Sequence, residues 1–111
     1  MNKERGKSMG WSEQVERNLK AMEYEQNGDI KEAIGLYEMN VAEAFEGTHP
    51  YQRLCDLYVG LDQKDDLIRV LEKAISVFEG AQSGDCKDKY DQLQRFKQTY
   101  VNVTKTFNEV N

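Results

Sequence analysis

The stretch Gly28–Glu38, GDIKEAIGLYE, decides how this chain folds. Glycine suits the left-handed conformation in which helices end, so Asn27-Gly28 stops one helix. Asp29 and Glu32 then form a D-x-x-E variant of the capping box and open a second. Within that second helix Ala33 and Tyr37 stand four residues apart on one face, one small and one large. This pairing suits a face against which another helix lies close, the alanine leaving room and the tyrosine filling the adjoining gap.

Working outward, Ser12 is a candidate cap for the preceding helix, and Val15, Leu19 and Met22 recur as its apolar stripe up to about Gln26. On the other side Ala33, Ile34, Tyr37, Val41 and Ala44 carry an apolar face to Glu46-Gly47. Thr48 is placed to cap a third helix, with Pro50 in its first turn where a missing amide costs little. Tyr51, Leu54, Cys55 and Tyr58 form its stripe. After a polar break from Asp62 to Lys64, a fourth helix carries Leu67, Ile68, Leu71, Ile75 and Phe78 and ends at Gly80. Residues 80–85, GAQSGD, are a loop by composition. From Cys86 to Val110, the residues Leu93, Phe96, Tyr100, Val103, Phe107 and Val110 fall within an arc of about 100° on a helical wheel. Thr99, Val101, Val103, Thr104 and Thr106 are β-branched and lower helix propensity toward that end. Residues 1–11 form a polar, glycine-containing segment expected to be flexible, leaving one domain over 12–110.

Offset by 34 residues, the apolar positions of the chain superpose. Ala21 falls on Cys55, Tyr24 on Tyr58, Ile34 on Ile68, Leu36 on Val70, Tyr37 on Leu71 and Val41 on Ile75; Gly28 falls on Asp62. Helix-turn-helix units of this period resemble the tetratricopeptide repeat. Tyr51, Leu54, Cys55 and Tyr58 match the first-helix part of that pattern, and Ala33 and Tyr37 the second-helix part. Arg17 and Lys20 depart from it where an aromatic and a leucine belong, and Leu67 stands where a small residue belongs. The resemblance covers repeats at about 14–47 and 48–81, followed by a C-terminal capping helix at about 86–110. It implies an all-α fold, a superhelix of two antiparallel helix pairs plus a long C-terminal helix.

The chain carries 15 Lys and Arg against 20 Asp and Glu, a formal charge of −5. An acidic chain without a basic cluster repels phosphate backbones, so nucleic acid is not an expected partner. The longest apolar runs are far shorter than the roughly 18 residues of a membrane helix, and the start lacks the apolar segment of a secretory leader. A cytoplasmic location is expected, with Cys55 and Cys86 reduced, since neither belongs to a CxxC.

Residues that carry chemistry elsewhere have plainer roles here. His49 has no adjacent Ser or Cys nucleophile. Asp62, Asp65 and Asp66 lack the alternating spacing of a calcium loop, with Leu67 and Lys73 where its Gly and Glu belong. Cys55 occupies a small-residue position of the repeat. Cys86 opens a helix, where a thiol pKa falls, without forming a nucleophilic site. Trp11 either anchors the N-terminal segment onto the first helix or is a stray exposed aromatic. Neither an enzyme nor a metal or cofactor site is expected.

The resemblance implies an interaction module whose first helices line a concave groove for a peptide or helix of a protein partner. By analogy Asn18, Met22 and Glu25 from the first helix and Gln52, Arg53 and Asp56 from the third line that groove. The carboxylate clamp of heat-shock co-chaperones in this family does not carry over: the matching positions hold Asn18, Met22, Arg53, Ser83 and Lys87. The competing expectation is a self-associating structural or regulatory protein. Its homodimer contact would be Tyr100, Val103, Phe107 and Val110 on the last helix.

Overall fold

The computed structural model describes residues 11–80 and 87–110, with side chains over 12–80 and 90–105. The described residues form five helices and no strand: α1 Trp11–Gln26, α2 Ile30–Ala42, α3 His49–Gly60, α4 Lys64–Gly80 and α5 Lys87–Val110. Of residues 1–11, expected to be flexible, only Trp11 belongs to this set, as the first residue of α1.

Three of these helices end in the same way. After α1, Gly28 turns left-handed (φ 86°). Gly28 N–H donates to Glu25 O and Asp29 N–H to Tyr24 O at 2.8 Å. This paired closure, a Schellman motif, satisfies carbonyls the helix leaves open. After α3 the same two bonds recur 34 residues on: Asp62 N–H (φ 60°) donates to Val59 O, and Gln63 N–H to Tyr58 O. The closures after α1 and α3 thus stand 34 residues apart, at the offset that superposes the side chains. After α2, Ala44 (φ 57°) and Phe45 donate to Val41 O and Asn40 O.

These closures correct several local expectations. The face of α2 does not reach Ala44: the helix stops at Ala42, Ala44 is exposed, and Phe45 is buried in its place. Asp29 occupies the cap position of α2 without a side-chain cap bond, and its amide, the one Glu32 would have received, is already given to Tyr24 O. Thr48 precedes α3 but also makes no cap bond; its conformation is already helical, and Pro50 removes one of the amides a cap accepts. Ser12 lies inside α1 instead of ahead of it.

The register of the contacts makes every successive pair of helices antiparallel. Arg17 near the start of α1 meets Glu43 just past the end of α2. Tyr58 late in α3 donates to Glu38 within α2, whereas Tyr51 early in α3 reaches Phe45 O. Tyr51 also meets Phe78 at the end of α4. Lys97 pairs with Glu79 and Tyr100 with Glu72, so α5 runs back along α4. Helix α2 additionally touches α4. The packing is thus sequential, each helix laid against the next.

One core threads these layers: Ala21, Ala33, Tyr37, Val41, Tyr51, Leu54, Tyr58, Leu67, Val70, Leu71, Ala74, Phe78, Leu93 and Phe96 are all buried. Ala33 and Tyr37 are wholly enclosed, which realises the small-and-large pair of the opening stretch. In α1, by contrast, the expected stripe faces elsewhere. Leu19 is 56% exposed, Met22 is exposed and Val15 only half-buried, while Asn18 and Ala21 turn inward. The β-branched end of α5 stays helical to Val110. Thr99 and Thr104 donate their hydroxyls back to Arg95 O and Tyr100 O, four residues earlier, which satisfies them without leaving the helix.

Candidate functional site

Three of the groove candidates come together where α1, α2 and α3 meet. Glu25, in the last turn of α1, receives Arg53 of α3 at both oxygens, Nη2 at 2.6 Å and Nε at 3.1 Å. Tyr37 of α2 donates its hydroxyl to the same carboxylate at 2.7 Å. Arg53 also reaches Asp56, one turn further along α3, at 2.9 Å. The ring of His49 stands edge-on to Tyr37, with Nε2 3.5 Å from its hydroxyl.

The electrostatics follow from these contacts. Arg53's hydrogen bonds hold the Glu25 carboxyl below its ordinary range, against burial, which pushes it up. Burial, then the bond to Glu25, raises the Tyr37 phenol well above the usual tyrosine range. Burial, followed by the nearby Arg53, lowers the His49 imidazole, keeping it neutral near pH 7. With Tyr37 and Arg53 taking up both oxygens of Glu25, the cluster works as a fastener between helices.

Asn18 and Met22 are placed differently. Asn18 is buried in the seam between α1 and α2, its Oδ1 accepting from Asn40 Nδ2 at 2.9 Å. Met22 is exposed on α1. Gln52, the sixth candidate, donates to Gln92 of α5 at 2.6 Å and so bridges α3 to the last helix.

Beyond that bridge a furrow runs between α3 and α5, with α4 as its floor. Its first part encloses about 410 Å³ and includes Gln52, Cys55, Asp56 and Val59 on one wall, Arg95 and Phe96 on the other. Leu67 and Leu71 lie beneath. A second hollow of about 370 Å³ shares Val59 and Leu67 with the first and continues to Lys64, Asn102 and Val103. Gln52 and Asp56 were among the sequence candidates; Val59, 63% exposed, was not. Its signal was its position, an apolar residue just outside the Tyr51–Leu54–Tyr58 stripe. The Cys55 thiol is free, and burial chiefly, with Asp56 adding to it, pushes it up to about 12, so it serves as apolar lining.

On α5, Tyr100 and Val103 pack against the core, and the Tyr100 hydroxyl donates to Glu72. The side chains of Phe107 and Val110, the other two dimer candidates, lie outside the described residues, as do those of Trp11, Cys86 and Lys87. Of the three aspartates, Asp66 pairs with Arg69. Among the described residues no three His, Cys, Asp or Glu side chains converge to hold a metal ion, and no helix is long and apolar enough to cross a membrane.

The chain matches no family model, no curated protein and no solved structure.

Proposed function

We propose that this chain is a cytoplasmic tetratricopeptide-like interaction module, not an enzyme, that takes a peptide or helix of a protein partner in the furrow between α3 and α5. The observation that carries this reading is the furrow itself: its lining combines apolar side chains (Val59, Leu67, Phe96, Val103) with polar ones (Gln52, Asp56, Gln92, Arg95). Such a site supplies burial for apolar anchors and hydrogen bonds for orientation. The superhelical arrangement is supported by the 34-residue recurrence of the helix closures and by sequential packing.

The test is selection from a random peptide library, followed by affinity measurement. Enriched peptides should share a sequence pattern and lose at least about tenfold in affinity to Val59→Glu. Failure to enrich any pattern, or equal binding by the variant, removes the furrow from the reading. Homodimerisation through α5 is the second reading. It is supported by the length of α5, 24 residues against the 17 of α4 along which it runs. Sedimentation of the wild type and of Phe107→Asp decides it: a wild type already monomeric at every concentration ends the dimer proposal.

A further inference from the structure

The first hairpin has a second open surface, on the side of α2 turned away from α3 and α4. There an open cleft of about 670 Å³ runs between α1 and α2. Its apolar part is Tyr24, Leu36 and Met39, the last 47% exposed. The 34-residue period identifies what such a surface receives. Lys20, Tyr24, Gly35 and Leu36 correspond to Leu54, Tyr58, Arg69 and Val70. In the second hairpin that surface is covered by a helix: Tyr58 and Arg69 both bond to Glu38 of α2, and Leu54 and Val70 are buried. The first hairpin therefore presents, uncovered among the described residues, the counterpart of a face that a helix occupies in the second.

The chemistry of the missing helix differs from that of α2. Arg69, which receives an acidic residue, is replaced by Gly35, and a Cβ built there would meet nothing within 4 Å. Around the cleft stand Glu13, Glu16 and Glu32, none of which belongs to an ion pair among the described residues. Arg17 is engaged by Glu43 and Asn40, which leaves Lys20 to oppose three carboxylates.

We infer that this flank docks a basic amphipathic helix of a partner protein, laid across α1 and α2 as α2 is laid across α3 and α4. Its apolar stripe rests on Tyr24, Leu36 and Met39, its backbone comes close over Gly35, and its Lys or Arg residues meet the three glutamates. The inference is independent of the α3–α5 furrow.

The probe is a synthetic Leu/Lys peptide of about 16 residues, long enough to hold a helix, with leucines on one stripe. Titrated into the full chain and followed by amide shifts and calorimetry, it should bind saturably, more weakly as salt rises, and shift the amides of Tyr24, Gly35, Leu36 and Met39. Gly35→Arg, which restores the residue type of the second hairpin and has room to fold, should reduce affinity by roughly tenfold, as should Met39→Glu. A Leu/Glu peptide of the same pattern should bind at least about tenfold more weakly than the Leu/Lys one. No saturable binding, equal binding of both peptides, shifts confined to the α3–α5 furrow, or undiminished affinity in Gly35→Arg would each overturn the inference. Concentration-dependent self-association of the free chain that Gly35→Arg abolishes would also overturn it, assigning the flank to a second copy.

Discussion

In the second hairpin Tyr51 of α3 packs edge-on against Phe78 of α4, ring centroids 5.3 Å apart, with Ala74 enclosed nearby and Phe96 of α5 stacked on Phe78. The corresponding residues of the first hairpin, 34 positions earlier, are Arg17, Ala44 and Asn40. There the seam is polar. Arg17 donates to Asn40 Oδ1 at 2.7 Å and to Glu43 at 2.9 Å, and Asn40 Nδ2 donates to Gln14 O and Asn18 Oδ1. Asn40 is fully enclosed and both its amide groups are engaged. One backbone plan is thus closed in two ways, by ring burial and by a hydrogen-bonded layer. The first gains by removing area from water; the second roughly exchanges water's hydrogen bonds for internal ones.

The largest expected effect tests the apolar seam. Tyr51→Ala removes an enclosed ring with two aromatic neighbours and its hydroxyl bond to Phe45 O, and should cost about 3–5 kcal/mol in urea denaturation. Its counterpart Arg17→Ala should cost about 1–3 kcal/mol, chiefly because Asn40 Oδ1 loses its donor. Equal losses at the two positions would erase the distinction between the seams. Asn40→Ala copies the residue of the second hairpin into the first. It should destabilise by about 1–3 kcal/mol, since Asn18 Oδ1 would lose its donor and Arg17 one of its acceptors. A neutral outcome would mean that water already satisfies this layer.

The helix closures differ too. The closure after α1 has glycine at its left-handed residue, Gly28, whereas Ala44 after α2 and Asp62 after α3 hold that conformation with a Cβ. Asp62→Gly and Ala44→Gly should therefore each raise stability by about 1 kcal/mol, and Gly28→Ala should lower it by a similar amount, seen as shifts in melting temperature.

The smallest effect concerns the fastener between the hairpins. Glu25 has a folded-state pKa below its ordinary 4.5, so it contributes stability that is present above about pH 4.5 and is lost as pH falls through the lower folded value. Glu25→Gln should flatten the acid side of the stability profile and cost about 1 kcal/mol at neutral pH. An unchanged acid limb would place the titration elsewhere. The phenols of Tyr37 and Tyr58 act at the other end. Both are raised from 10.0, chiefly by burial, so their contribution is complete below about pH 10 and declines as pH climbs above it.

How far the fold was legible in the sequence follows the same division. Tyr51, Leu54, Tyr58, Leu67, Leu71 and Phe78 were readable as stripes because apolar side chains make the second hairpin's contacts. In α1 apolar periodicity marks Val15, Leu19 and Met22, whereas the face that turns inward carries Asn18, Ala21 and a half-buried Arg17. Hydrophobic periodicity cannot register a polar seam. The capping box at Asp29 is absent for a related reason: its amide is taken by the closure of the helix before it. Of the candidate site, Glu25, Arg53 and Asp56 come together as an ion-paired cluster, a pairing that depends on the angle at which α1 meets α3. No single helix encodes that angle.

The polar seam also bears on what the folded chain does between its rare global unfolding events. Helix α1 is held by hydrogen bonds to α2 and by the Arg53–Glu25 pair, with Ala21 as its fully buried apolar anchor. In a stack of helices the end unit can detach without dissolving the remainder. Amide protons of α1 should then exchange with deuterium through a partial opening of low free energy, while those of α4, between α3 and α5, wait for the whole core to open. An opened α1 would bare Ala33 and Tyr37 while α2 to α5 stay assembled, a sparsely populated species distinct from both the native and the unfolded chain.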